Sequence, residues 1–430
     1  MKVIHKILPL TDIIAANSQV RTHSTKQIKK AVRLFQKQGI VSPIVITEQK
    51  TIIDGHLRVI AARKLGMSEL NCLMLYNLNK AQHIELSLSL NRLSEDTIWD
   101  IGTLKSHLEF LTEFNLDLSF TGFEQAEIDT AFSFSIIEDE PVAFPSSLNE
   151  AVTRLGDVWQ IGNHFIICGD SLNIQDDILA LSSLPLAKLC LTDPPYNVPT
   201  KGHIQTKGTH EEFAMAAGEM SDTEFTDFLS KFIFAGLHLT TPNALFYICM
   251  DWRHISHLNE AAAQNALIPQ NLCIWAKSNA GMGSFYRSQH ELVGIYSKST
   301  KFQNNINLGA DGRYRTNVWN YAGVTSFGSH RQNDLAAHPT VKPTNMFADV
   351  ILDCTSIGDT IFDPFLGSGT TCLAAQQTKR KCLGIEYKPK YVDAALQRLK
   401  ERCGLEAVHL PSGHSFAEIR SQRAKGGSNA

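Results

Sequence analysis

The chain has 430 residues, 43% of them hydrophobic, with 40 basic and 43 acidic side chains and a formal net charge of −3. That length suits two or three domains, and the charge balance argues against a globally basic nucleic-acid coat. No stretch approaches the roughly 18 apolar residues of a membrane span, no signal peptide is read after Met1, and the nine cysteines form no Cys-x-x-Cys pair, so a reduced cytoplasmic protein with no structural metal is expected.

The first region, residues 1–133, reads as a small α+β domain. It opens with a short strand and loop. Ser24 is placed to cap a helix running through Lys37. Strands follow at 43–47 and 51–53, and Asp54-Gly55-His56 opens a helix that Gly66 stops. Residues 69–77 form another strand, and 80 to about 118 are helical. Residues 134–150 carry Glu138-Asp139-Glu140 and two prolines and read as a linker. The tail, 409–430, reads as disordered.

The second region, 151–408, alternates strands and helices. Strands are expected at 164–168, 187–192, 244–249, 271–276, 291–298, 360–363 and 381–386, with helices at 221–238, 254–265, 343–355, 369–377 and 389–402. Such alternation predicts a mainly parallel sheet covered on both faces.

Two motifs in this region carry chemistry. The apolar run Ala187–Leu191 leads into Asp193-Pro194-Pro195-Tyr196. A carboxylate, two rigid prolines and an aromatic ring suit a flat, amine-bearing ring such as a nucleobase. Alone, the string is most often a proline turn. The second motif is Asp363-Pro364-Phe365-Leu366-Gly367-Ser368-Gly369-Thr370, a strand end, a glycine turn and a helix start. Glycines there let a ligand approach the backbone. The next strand ends in Glu386, 23 residues beyond Asp363. That is close to the spacing of about 20 residues between a glycine turn and a ribose-binding acid. The third glycine of a dinucleotide fingerprint and the Gly-Lys-Ser/Thr of a P-loop are both missing.

Between 270 and 345 lie eight basic and three acidic residues. That is the local charge a phosphate surface needs, or the solvated face of a loop. Lys277, Arg287, Arg313, Arg315 and Arg331 are the candidate DNA contacts, with a recognition segment at about 299–337. Residues 197–219 read as a loop that closes over the substrate.

Together the two motifs resemble the β-group of S-adenosylmethionine-dependent DNA amino-methyltransferases, in which the catalytic motif precedes the cofactor motif. Further matches are Gly156-Asp157-Val158-Trp159, Cys168-Gly169-Asp170-Ser171, Trp275–Asn279, Arg287–Glu291 and His338-Pro339-Thr340-Val341-Lys342-Pro343. The resemblance implies an α/β fold, a Rossmann-like seven-stranded sheet in permuted motif order. It places Asp363, Phe365, Gly367 and Gly369 at S-adenosylmethionine and Glu386 on the ribose hydroxyls. Asp170 would lie by the adenine ring of the cofactor, with Thr370 and Lys342 at its methionine end. Asp193 and the Pro194 carbonyl would hold the amine of a base flipped out of the duplex, with Tyr196 stacked on that base. Asp at the first motif position leans to N6-adenine within the family, and Ser to N4-cytosine. Asn would point to glutamine methylation, and a C5-cytosine enzyme would need a cysteine nucleophile, for which no Pro-Cys context exists. An RNA methyltransferase and a non-catalytic DNA-binding protein stay as alternatives.

Residues 3–130 resemble a ParB/sulfiredoxin-like domain, most closely at Asp54-Gly55-His56-Leu57-Arg58. The resemblance implies a DNA-docking or homodimerising module, with a nucleotide triphosphate or phosphate held at Gly55, His56 and Arg58. The whole resembles a bacterial or phage-encoded modifying enzyme acting on double-stranded DNA, with no restriction-endonuclease motif in the chain.

Overall fold

The computed structural model describes the chain except residues 17–20, 94–98, 115, 133–150, 174–184, 199–215, 217, 279, 281–284, 307, 309–312, 322–341 and 427–430. The expected linker, Arg331 and most of the closing loop lie outside the described residues. Two units separate, Met1–Phe132 and Ser133–Ala430.

Unit 1 is built on a four-stranded sheet. In chain order its elements are β1 (Lys2–Pro9), α1 (Thr25–Gln38), β2 (Ile44–Thr47), β3 (Ile52–Asp54), α2 (His56–Lys64), β4 (Glu69–Tyr76), α3 (Lys80–Leu93), α4 (Ile101–Glu113) and α5 (Gln125–Phe132). The strand order is β1-β4-β2-β3, with only the β4–β2 pair parallel. Ser24 caps α1 by accepting from the Gln27 N–H at 3.1 Å. Ile44, Ile46, Val59, Leu70 and Cys72 form the core between sheet and α2. The helix expected over 80 to about 118 is divided: Asp100 accepts from the Gly102 and Thr103 N–H groups and starts α4 afresh. An N-cap there ends any continuous helix, since the cap residue has extended backbone.

Unit 2 is organised by a ten-stranded sheet. Its elements are β5 (Val158–Ile161), β6 (His164–Cys168), β7 (Ala187–Thr192), α6 (Asp222–Leu239), β8 (Thr240–Met250), α7 (Ile255–Gln264), β9 (Ile268–Lys277), β10 (His290–Ser297), β11 (Val318–Tyr321), α8 (Thr344–Cys354), β12 (Thr360–Asp363), α9 (Thr370–Gln377), β13 (Lys381–Glu386), α10 (Pro389–Cys403), β14 (Ala407–His409) and α11 (Phe416–Gly426). The order is β11-β9-β10-β8-β7-β12-β13-β6-β5-β14. Strands β8, β7, β12, β13 and β6 run parallel. β10 is antiparallel to both its neighbours. The near-continuous apolar runs of β7 and β12 are buried on both faces, as central parallel strands must be. Phe225, Phe228, Leu229 and Phe232 of α6 cover one face. Met346, Phe347, Leu373, Val392 and Leu399 of α8, α9 and α10 cover the other.

Seven strands were expected and ten form among the described residues, because three short ones extend the edges. β11 adds beside β9, and β5 and β14 pair beyond β6. The expectation of a disordered tail is corrected. β14 zips onto β5, and Arg423 of α11 donates to both oxygens of Asp157, to Oδ1 at 2.9 Å. A buried carboxylate that needs a cation thus fixes a polar helix that hydropathy alone would leave loose.

Candidate active site

The sheet topology brings the two motifs together. β7 lies between β8 and β12, and β12 lies beside β13, all parallel. Their carboxyl ends therefore share one rim, the usual ligand crevice of such sheets. Asp193 follows β7, the glycine turn follows β12, and Glu386 ends β13.

At the glycine turn, Gly367 has φ +55° and Gly369 has φ +85°. A Cβ at Gly369 would lie 2.9 Å from the Ala395 Cβ, so this glycine lets α9 pack on α10. A Cβ at Gly367 would meet nothing within 4 Å; the turn there faces open space. Glu386 accepts from the Gly367 N–H at 2.9 Å and the Lys388 N–H at 2.8 Å. Burial pushes its carboxyl up to about 7, against the pull of those two N–H groups. The Gly169 N–H donates to the Glu386 carbonyl at 3.0 Å, which sets Asp170 beside the same strand end. Asp170 itself accepts from the Leu172 N–H at 3.0 Å and the Asn173 amide at 2.9 Å. An open glycine, a carboxylate with lone pairs to spare and a second carboxylate on one rim fit the adenosyl half of S-adenosylmethionine. Phe365 stands edge-on to Phe232, with 5.2 Å between ring centroids.

Asp363 and Thr370, both expected at the cofactor, face elsewhere. Asp363 is 2% exposed and spends its carboxylate on the Thr192 hydroxyl at 2.8 Å, the Phe365 N–H at 3.1 Å and the Thr371 hydroxyl. It is a strut between β7, β12 and α9 rather than a ligand surface, and burial lifts it to about 6. Thr370 is also buried and accepts from Arg398 at 3.1 Å.

At the second motif, the Asp193 carboxylate receives the Tyr196 hydroxyl on Oδ1 and the Lys342 ammonium on Oδ2, the latter at 2.6 Å. Pro194 is buried and Pro195 half-buried behind it. Lys342 also lies 3.0 Å from Glu291 Oε2, and its ammonium stands 5.3 Å from the Tyr196 ring centroid. Lys277 pairs with the other Glu291 oxygen. Burial drives the Asp193 carboxyl upward, partly opposed by Lys342. Burial acts likewise on Glu291, but Lys342 and Lys277 outweigh it and hold that carboxyl down at about 2. The Lys342 ammonium is held charged by its two carboxylates against the cost of its burial. Glu291 was legible as one of three acids in a basic stretch and as the end of the Arg287–Glu291 match; the sequence did not reveal that it shares Lys342 and Tyr196 with Asp193.

The basic candidates divide. Arg313 and Arg315 were expected on DNA, and the structure corrects this. Arg313 reaches Asp353 at 2.8 Å and Asp349 at 3.1 Å, and Arg315 reaches the same two acids at 2.8 and 3.1 Å. With side chains only 17% and 15% exposed, they tie the segment before β11 to α8. Lys277 is committed to Glu291. Arg287 is exposed, next to Phe285 and Tyr286, which are 87% and 80% exposed.

In unit 1, Gly55 has φ +104°, and a Cβ there would strike Ile44 Cγ2 at 2.7 Å. Arg58 bonds Asp54 at 3.3 Å and the Pro43 carbonyl at 3.2 Å. His56 opens α2 beside a cavity of about 940 Å³ that Arg21, His23, Lys80 and His83 also line. The Nε2 atoms of His56 and His83 are buried with no hydrogen-bond partner among the described residues. Cys72 is fully buried in β4 and its thiol is pushed up by that burial, which leaves no reactive cysteine for sulfiredoxin chemistry in unit 1.

Residues 187–397 match the family model described as DNA methylase, N6_N4_Mtase. The chain is 29% identical over 247 residues to the Type II methyltransferase M.HinfI of Haemophilus influenzae, covering 53% of this chain and 67% of that protein. It is 25% identical over 286 residues to the Type II methyltransferase M.ScaI of Streptomyces caespitosus, covering 58% and 88%. A solved structure titled PvuII DNA methyltransferase (cytosine-N4-specific) aligns with TM-score 0.45 and 20% identity over 60% of this chain and 91% of that one. The matched span begins at the strand that delivers Asp193 and ends within α10, behind the glycine turn, so Asp193, the glycine turn and Glu386 lie inside it, while Asp170 precedes it. Residues 187–397 are thus a DNA methylase domain of the N6/N4 type, with S-adenosylmethionine as its cofactor.

Proposed function

We propose that the enzyme methylates the N6 amine of adenine in double-stranded DNA. The observation that carries this reading is the Asp193 carboxylate, held at the end of β7 beside the glycine turn and backed by two prolines. Asp at this position resembles the adenine branch of the family.

An exocyclic amine is a poor nucleophile because its lone pair is delocalised into the ring. The Asp193 carboxylate and the Pro194 carbonyl accept its two N–H bonds and favour a tetrahedral nitrogen. The rigid Pro194-Pro195 pair fixes both acceptors, so orientation costs little at the moment of reaction. Gly367, Glu386 and Asp170 would hold S-adenosylmethionine, which would supply an electrophilic methyl group. The carboxylates of Asp193 and Glu291 stabilise positive charge developing on the amine nitrogen. The methylated nitrogen is acidic and sheds its proton without a strong base. Tyr196, tied through its hydroxyl to Asp193, presents a ring face to the base.

Arg287, with Phe285 and Tyr286, is the DNA contact favoured among the described basic candidates, because no described residue holds it. In unit 1 the cavity beside Gly55, His56 and Arg58 holds a phosphate or nucleotide triphosphate, and the unit docks DNA or pairs with a second copy. The unpartnered His56 and His83 nitrogens support an anionic ligand there. Digesting methylated duplex to nucleosides tests the central reading: label in N6-methyladenine supports it, and label in N4-methylcytosine replaces it.

A further inference from the structure

The Lys342 ammonium was expected beside the cofactor, yet it lies buried between two carboxylates, with the side chain 4% exposed. Glu291 shares that ammonium with Asp193, takes Lys277 on its other oxygen and lies 3.2 Å from the Tyr196 hydroxyl, whose one proton goes to Asp193. Two carboxylates and two ammoniums thus balance around one tyrosine hydroxyl. Buried charges persist only when matched in this way, and removing one partner leaves the other uncompensated.

Glu291 has two effects in this arrangement. Alone with Asp193, the Lys342 ammonium would be drawn fully onto that carboxylate and would cover the acceptor the target amine needs. Glu291 competes for the ammonium and leaves lone pairs of Asp193 open. It also offsets Lys277 and Lys342 close to a nitrogen that becomes cationic during transfer. Its place is rigid, because it sits in β10 opposite Trp275 of β9 within the sheet.

We propose that Glu291 is a positioning residue for methyl transfer, keeping the Asp193 carboxylate available to the target amine by sharing Lys342 and holding Lys277. The role rests on Asp193 being the amine acceptor. Asp193 interacts with Lys342, with Glu291 of β10, with Tyr196 of its own loop, with the Cys249 thiol of β8 and with Asp363 behind Thr192. Burial raises the Asp193 carboxyl most, Lys342 lowers it and Glu291 raises it. Removing the Glu291 charge therefore lowers the Asp193 pKa.

The test is Glu291→Gln, assayed with duplex DNA and labelled S-adenosylmethionine across pH. The expected result is a kcat loss of roughly 100-fold, the scale of a small misplacement at a reacting centre. Cofactor affinity by calorimetry stays within about twofold, and the acid limb of kcat moves to lower pH. The charge-balanced double variant Lys277→Gln/Glu291→Gln recovers part of the kcat loss and moves the limb in the same direction by less. It carries the same readout if the single variant fails to fold. An unmoved acid limb, or cofactor affinity falling in step with kcat, overturns the proposal. Absence of label transfer to DNA by the unaltered protein overturns the underlying reading of the reaction, and this role with it.

Discussion

The two glycines of the turn after β12 have opposite surroundings, so the same substitution should fail in different ways. At Gly369 an alanine adopts φ +85° and brings its Cβ to 2.9 Å from the Ala395 Cβ. The left-handed backbone costs about 1–2 kcal/mol, and forcing an extra methyl into a packed contact adds about 1–3 kcal/mol. Gly369→Ala should therefore destabilise unit 2 by roughly 2–5 kcal/mol, a fall in Tm of roughly 4–10 °C for a domain of this size. At Gly367 the backbone cost is similar, about 1–2 kcal/mol, but the Cβ meets nothing within 4 Å. That methyl enters the space assigned to the cofactor. Gly367→Ala should melt within a few degrees of the parent yet bind S-adenosylmethionine at least roughly tenfold more weakly, about 1.4 kcal/mol. Calorimetric titration with the cofactor, paired with thermal melting, reads both. Unchanged cofactor affinity in Gly367→Ala would refute the assignment of this turn as the cofactor cradle.

Other expectations follow from the same geometry. Asp193→Ala should reduce label transfer by roughly 100-fold or more while cofactor affinity stays near the parent value; equal loss of both would show that Asp193 holds the cofactor instead. Because burial raises Glu386 to about 7, its carboxylate form gains population as pH rises through that value. Cofactor affinity should climb over the same window, and in Glu386→Gln it should be weaker and flat; a parallel climb in that variant would remove Glu386 from the ribose. Arg313→Met strips a partner from buried Asp353 and should cost about 3–5 kcal/mol in denaturant unfolding, with little change in the salt dependence of DNA binding. Arg287→Ala should do the reverse, leaving stability unchanged and reducing the salt slope by about 0.9; identical behaviour of the two variants would contradict the division made between them.

The strands whose ends form the rim were legible because they are written in local signals. β7, β12 and β13 are apolar runs, each ended by a motif residue, and the expected spans 187–192, 360–363 and 381–386 coincide with the observed strands. The edge strands were not legible, because β5, β11 and β14 have only four, four and three residues and exist through distant partners. The break before α4 was written in Asp100, whose capping role competes with a helical periodicity that continues on both sides. Arg313 and Arg315 have the residue types of a DNA surface. Their spacing of two puts both on one side of an extended chain, and Asp349 and Asp353, four apart, share a face of α8. That pairing spans 34 to 40 residues and had no local signature. The Glu291 contact was hidden for the same reason, since strand pairing rather than spacing brings it to Lys342.

The central claim is that this chain moves a methyl group onto an adenine amine through Asp193. Incubating the full chain with labelled S-adenosylmethionine and duplex DNA, then digesting to nucleosides, tests it most directly. Label is expected in N6-methyladenine, with none above background from Asp193→Ala. Label in RNA or protein only, or undiminished transfer by the alanine variant, would contradict it.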